Sequence, residues 1–118
     1  VLNVDTDRDK QTVKAEVKAF ANRISVMIRK HYFEHYPNLL APTITISWGR
    51  RYAKLVTTHG VATGARGGQR TVYGFVDMTT GDVLKAATWK QPAKHARGNI
   101  FFRDKGMGCC NTHGIRYL

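Results

Sequence analysis

Between residues 12 and 35, Val13, Val17, Phe20, Ile24, Met27, Ile28 and Tyr32 recur at intervals of three and four, the spacing of one face of an α-helix. Pro37 closes the segment, Asp9 or Thr12 can cap its start, and Arg29 and Lys30 suit the negative end of its dipole. After a spacer at 38–42 the period falls to two. Ile44, Ile46 and Trp48 share one side of 43–48 and hydroxyl residues take the other, as in a half-buried strand. This alternation places Trp48 in the core. Gly49-Arg50 reads as a two-residue hairpin turn into a second strand at 51–58, and a single strand bulged at Gly49 is the alternative.

The segment 59–69 holds Gly60, Gly64, Gly67 and Gly68 around Arg66, a composition for an exposed loop. Two further strands are expected at 71–78 and 83–89, joined by the tight-turn sequence Thr79-Thr80-Gly81-Asp82. Pro92 suits the first position of a short helix beginning at Ala93 and stopped by Gly98. Ile100, Phe101 and Phe102 then return apolar residues to the core, and Ile115, Tyr117 and Leu118 dock on it. The expected fold is α+β: a long N-terminal helix packed on a four-stranded antiparallel sheet, with short C-terminal helical or irregular elements, in one domain over 1–118.

Composition changes this picture mainly through charge. Nineteen Lys and Arg face eight Asp and Glu, a formal net charge of +11, and Asp5, Asp7 and Asp9 gather at the start, which leaves the rest more basic still. Such an excess costs stability by self-repulsion and points to a polyanionic counterpart. The hydrophobic fraction of 42% argues for a folded chain. No apolar run approaches the ~20 residues of a membrane span, and the polar, acidic opening is unlike a secretory leader. Cys109 and Cys110, the two cysteines, are adjacent and poorly placed to pair with each other, which suits a reducing, cytoplasmic compartment.

Two groups of cations are candidates for binding a polyanion. Lys85, Trp89, Lys90, Lys94, His95 and Arg97 surround the expected helix start, where Lys90, Lys94 and Arg97 would project from neighbouring turns and backbone amides would supply fixed donors for phosphate. Arg50, Arg51, Tyr52 and Lys54, with Arg66 and Arg70, form the second group. Tyr52 and Trp89, each beside cations in sequence, are the candidate stacking platforms for bases. The plain alternative for both groups is a solvated basic surface. The glycine-rich loop contains neither G-x-x-x-x-G-K-[ST] nor G-x-G-x-x-G, so a nucleotide-binding loop is not read from it.

Catalysis and metals have less behind them. The acids beyond the start are Glu16, Glu34, Asp77, Asp82 and Asp104, too sparse for a Mg²⁺-dependent nuclease. His95 is the candidate general acid/base for a phosphate-ester enzyme, with Lys94 and Arg97 stabilising charge. His31 and His35 stand one helical turn apart, yet no C-x-x-C or H-E-x-x-H accompanies them. No metal and no cofactor are expected.

The stretch from Gly81 to Phe101, with the pattern W-K-x-P-A-K-H-A-R-G-x-I running from Trp89 to Ile100, resembles small uncharacterised basic proteins encoded by tailed bacteriophages. Gly49-Arg50-Arg51-Tyr52-Ala53-Lys54 and the ending Gly114-Ile115-Arg116-Tyr117-Leu118 are similar to the same group. The resemblance implies a viral protein of the host bacterial cytoplasm and transfers no catalytic role. A topological likeness to double-stranded-RNA-binding domains, with Lys90 and Lys94 near the start of a last helix, points the same way. The expected function is nucleic-acid binding through phosphate contacts, with no membrane partner. The alternatives are a phosphate-ester enzyme using His95 and a protein that binds and inhibits a host protein.

Overall fold

Helix α1 (Thr6–His35) opens a computed structural model that describes residues 6–59 and 69–115. It begins ahead of the apolar stripe because extending a nucleated helix costs little. Val17, Phe20, Ile24 and Ile28 are fully buried, Val13 and Ala21 nearly so, and Met27 and Tyr32 pack at the margin. The stripe is the inner face of the helix. Among the described residues, no helix is long and apolar enough to cross a membrane.

The sheet has five strands, one more than expected: β1 (Thr43–Trp48), β2 (Tyr52–Thr58), β3 (Arg70–Asp77), β4 (Asp82–Ala86) and β5 (Pro92–Asn99). They lie antiparallel in chain order. The α+β class and the antiparallel sheet thus match expectation, and the strand count is corrected. Register divides the side chains into two rows. Trp48, Ala53, Val76, Val83 and Gly98 face one another in succession across all five strands, as do Ser47, Lys54, Phe75, Leu84 and Ala96. Ala53, Val76 and Val83 share a core with the helix stripe, so the first row is the inner one and the second, by strand alternation, faces outward.

The stretch expected to be helical from Ala93 is strand β5, and no second helix of the kind found in double-stranded-RNA-binding domains occurs among the described residues. Pro92 opens an edge strand, where its missing N–H breaks no ladder bond. Gly98 stops no helix; a side chain there would meet Cys109 Sγ at 2.9 Å, so glycine is needed for the close approach of the 3₁₀ turn η1 (Met107–Cys109). Two register shifts in the β4–β5 pairing bend the strand.

Four smaller expectations also change. Gly49 N donates to Tyr52 O at 3.0 Å, which centres the first hairpin turn on Arg50-Arg51 rather than Gly49-Arg50. The strand expected to reach residue 89 ends at Ala86, and Trp89 belongs to the connection. Trp48 lies on the inner row but at the edge strand, where it remains 40% exposed with Lys14 Nζ 5.7 Å from its ring. Phe101 and Phe102 are exposed while Ile100 is buried. Asn99 causes this reversal: its Nδ2 donates to Thr80 O and Asp82 Oδ1, and its Oδ1 accepts from Phe101 N, turning the chain outward directly after Ile100.

The C-terminal segment closes the inner layer. Strands β6 (Cys110–Asn111) and β7 (Gly114–Ile115) pair with each other, and Ile115 docks in the core as expected. Gly74 makes room, since a Cβ there would lie 2.6 Å from Ile115 Cγ1. Tyr73 donates its hydroxyl to Asn111 O, and burial pushes that phenol up from its ordinary pKa. The Cys109 and Cys110 thiols both donate to Gly106 O. Hydrogen bonding to Cys109, then burial, pushes the Cys110 thiol up, so it stays protonated. Tyr117 and Leu118 lie outside the described residues.

Candidate nucleic-acid interface

The outward row runs from exposed Ser47 and partly buried Lys54 through buried Phe75 and Leu84 to exposed Ala96. What covers it is the β4–β5 connection. Thr88 Oγ1 accepts from Lys90 N and Gln91 N, and Ala87 N and Thr88 N both donate to Gln91 O. These bonds hold a tight bend with Trp89 and Lys90 at its tip. The tip reaches back over the outer face: Lys54 on β2, two strands away, donates from Nζ to Trp89 O at 3.1 Å.

Around Trp89 the sheet assembles cations on an accessible ring. Lys54 Nζ stands 4.2 Å and Arg70 Cζ 5.5 Å from the ring centroid, both within the range of cation–π attraction. The indole nevertheless keeps 42% of its surface exposed. Beside it, Arg51 Cζ lies 5.1 Å from the Tyr52 ring, which meets Phe75 edge-on at 6.1 Å. Phe75 is buried and serves as the floor.

Between these aromatics lies a depression of about 240 Å³, lined by Ser47, Gly49, Arg50, Arg51, Tyr52, Lys54, Phe75 and Lys90. Four of those side chains are cationic. Arg51 also approaches Asp77 at 3.7 Å, but Asp77 Oδ1 is committed to Thr79 N and Thr80 N, and Arg51 is well exposed. Asp77 is buried, but at 3.7 Å its contact with the solvated guanidinium is long, and its Oδ1 keeps the two backbone donors when Arg51 turns to a phosphate.

The two sequence groups therefore meet only in part. Arg50, Arg51, Tyr52, Lys54, Arg70, Trp89 and Lys90 gather on the outer face. Lys94 and His95 are exposed on the edge strand β5 and Arg97 is half-buried there, and the three do not project from neighbouring helical turns because no helix is present. Lys85 is drawn to the inner side, where its Nζ donates to Ile115 O at 2.9 Å. Arg66 lies outside the described residues. The missed contributors are Ser47, Gly49 and Phe75; a first turn centred on Arg50-Arg51 pairs Ser47 with Lys54, whereas the pairing of Phe75 with Lys54 depends on the β2–β3 register, which shifts at Leu55/Val56.

The outer face presents cations beside ring faces, and His95 is not among the residues lining this depression. Among the described residues no group of three or more His, Cys, Asp or Glu is placed to hold a metal ion. A family model described as a family of unknown function (DUF7717) matches residues 3–117. No curated protein and no solved structure matches the chain.

Proposed function

The chain belongs to the DUF7717 family, and on that premise we propose that it is a nucleic-acid-binding protein whose outer sheet face takes a single strand. Phosphates meet Arg50, Arg51, Lys54, Arg70 and Lys90, and bases stack on Trp89 and Tyr52. The observation that carries the reading is the half-exposed Trp89 ring with Lys54 at 4.2 Å and Arg70 at 5.5 Å. A ring next to backbone-tracking cations is what unpaired bases require, whereas a duplex hides its base faces. The net charge of +11 supplies the long-range attraction. The resemblance of 81–101 to proteins of tailed bacteriophages supports a role for this binding in an infected bacterial cytoplasm.

The test is a fluorescence anisotropy titration with single- and double-stranded DNA and RNA at two salt concentrations. If four phosphates are contacted, single-strand affinity falls by about 50-fold between 50 and 200 mM salt, from a slope of about −0.7 per phosphate. Charge reversal by Lys54→Glu with Lys90→Glu abolishes binding and leaves the far-ultraviolet spectrum unchanged. Undiminished affinity in that double variant overturns the assignment.

A second reading, docking on a host protein, is favoured by a different region. Phe33, Tyr36, Leu39 and Leu40, around the end of α1, are all exposed, Phe33 by 80%, and exposed apolar clusters of this kind mark interaction surfaces. Under this reading Phe33→Glu removes the partner after nuclease treatment and leaves oligonucleotide binding intact.

A further inference from the structure

A second and larger concavity lies at the other side of the first hairpin turn. It occupies about 450 Å³ between the N-terminal half of α1, the β1–β2 turn and the β3–β4 turn, and is lined by Lys10, Val13, Lys14, Gly49, Arg50, Met78 and Thr79. That volume falls within the range of about 300–1,000 Å³ typical of small-ligand sites. Its lining separates into two chemistries. Lys10 and Lys14 stand one helical turn apart on α1 and face the same opening as Arg50, which gives three cations and no carboxylate among the lining residues. Val13, nearly buried, and the half-buried Met78 supply an apolar ledge, and thioether sulfur packs well against flat rings.

We propose that this cleft binds a nucleoside monophosphate group, its phosphate on Lys10, Lys14 and Arg50 and its base on Val13 and Met78. A phosphomonoester carries nearly two negative charges at neutral pH, more than one lysine balances and a suitable load for three cations. A simple inorganic anion leaves the apolar ledge unused, and an uncharged aromatic leaves the cations unused; only a ring joined to a phosphate uses both. The Thr79 side chain completes the lining with a hydroxyl-bearing group suited to a sugar. Lys14 is held near by the Trp48 ring at 5.7 Å, which also makes Trp48 a reporter of occupancy.

The group has two possible sources: a free mononucleotide, or the terminal nucleotide of a strand. Gly49 and Arg50 line both concavities, so a strand leaving the outer face crosses one turn to reach the cleft. Only this second source rests on the outer-face reading.

The experiment is a calorimetric and Trp48-fluorescence titration of the full chain with adenosine monophosphate, adenosine and inorganic phosphate. Adenosine monophosphate saturates one site, and the other two bind about tenfold or more weakly. Lys10→Gln with Lys14→Gln, both exposed positions, weakens adenosine monophosphate by about tenfold or more, as expected for lost charge-assisted contacts. Trp89→Ala leaves that affinity within about twofold because Trp89 is not among the residues that line the cleft. A 5′-phosphorylated oligonucleotide that displaces adenosine monophosphate identifies the strand end as the source, and one that leaves it bound identifies the free nucleotide; either supports the site. Absence of saturation up to about 10 mM, indifference to the double lysine variant, or equal binding of inorganic phosphate overturns it. Failure of oligonucleotide binding with retained mononucleotide binding overturns only the outer-face reading.

Discussion

The inner and outer rows of the sheet cross the same five strands, one residue out of phase on β1–β4 and two on β5 where the register shifts, and they differ in what covers them. The inner row runs from Trp48 through Ala53, Val76 and Val83 to Gly98; Ala53, Val76 and Val83 share a core with the buried α1 stripe of Val17, Phe20, Ile24 and Ile28, while Trp48 stays half-exposed at the edge. The outer row, from Ser47 through Lys54, Phe75 and Leu84 to Ala96, has no helix over it among the described residues. A hairpin tip reaches across it instead, pinned by one hydrogen bond from Lys54 to Trp89 O. The inner surface thus carries the main apolar core, and the outer surface, beyond its buried Phe75 and Leu84, presents charge and half-exposed rings.

Substitutions on the two rows and at the sheet edge break or sharpen this division. Phe20→Ala has the largest expected effect, a loss of about 3–5 kcal/mol of stability for removing a fully buried ring, read as a lower midpoint in urea. Oligonucleotide affinity below the transition stays unchanged. A loss under about 1 kcal/mol would mean that the helix stripe is not the core.

Trp89→Ala should give the mirror image. Affinity for single strands falls by about 5- to 150-fold, the value of one stacked base, with the urea midpoint nearly unmoved. A large stability loss with intact affinity would turn the outer row into a second core. Lys54→Gln removes one cation and the tether of the hairpin tip, and affinity drops by about five- to tenfold. Trp89 emission shifts in the same variant as its ring loses the ammonium group at 4.2 Å. The smallest effect is expected at the edge: Lys94→Gln with His95→Gln changes affinity by about twofold or less and leaves the salt slope unaltered, since neither residue lines a described concavity. A reduction of that slope by about one would return the edge strand to the binding surface.

Much of the inner row was legible because its signal is periodic. The three- and four-residue spacing from Val13 to Tyr32 and the alternation at 43–48 each report one face of a regular element, and both faces turn inward. The outer site was legible only as a set of names. Trp89, Lys54 and Arg70 each stood out in the chain, but their meeting depends on a hairpin crossing two strands, and local spacing does not encode that. The segment at 92–99 misled for a related reason: proline followed by alanine, lysine and arginine has helical preference, yet pairing with β4 and the approach of Cys109 to Gly98 at close range outweigh a preference worth a fraction of a kcal/mol per residue.

From residues alone came the α+β class, the long helix with its buried stripe, the hairpin at Thr79-Thr80-Gly81-Asp82 and the surplus of positive charge, because each depends on near neighbours or on simple summation. Only the tertiary structure decided which cations share a surface, that Lys85 turns to Ile115 O, and that Lys10 and Lys14 meet Arg50 across a cleft. Those outcomes rest on register and on the curl of one connection, and they bring together residues far apart in the chain.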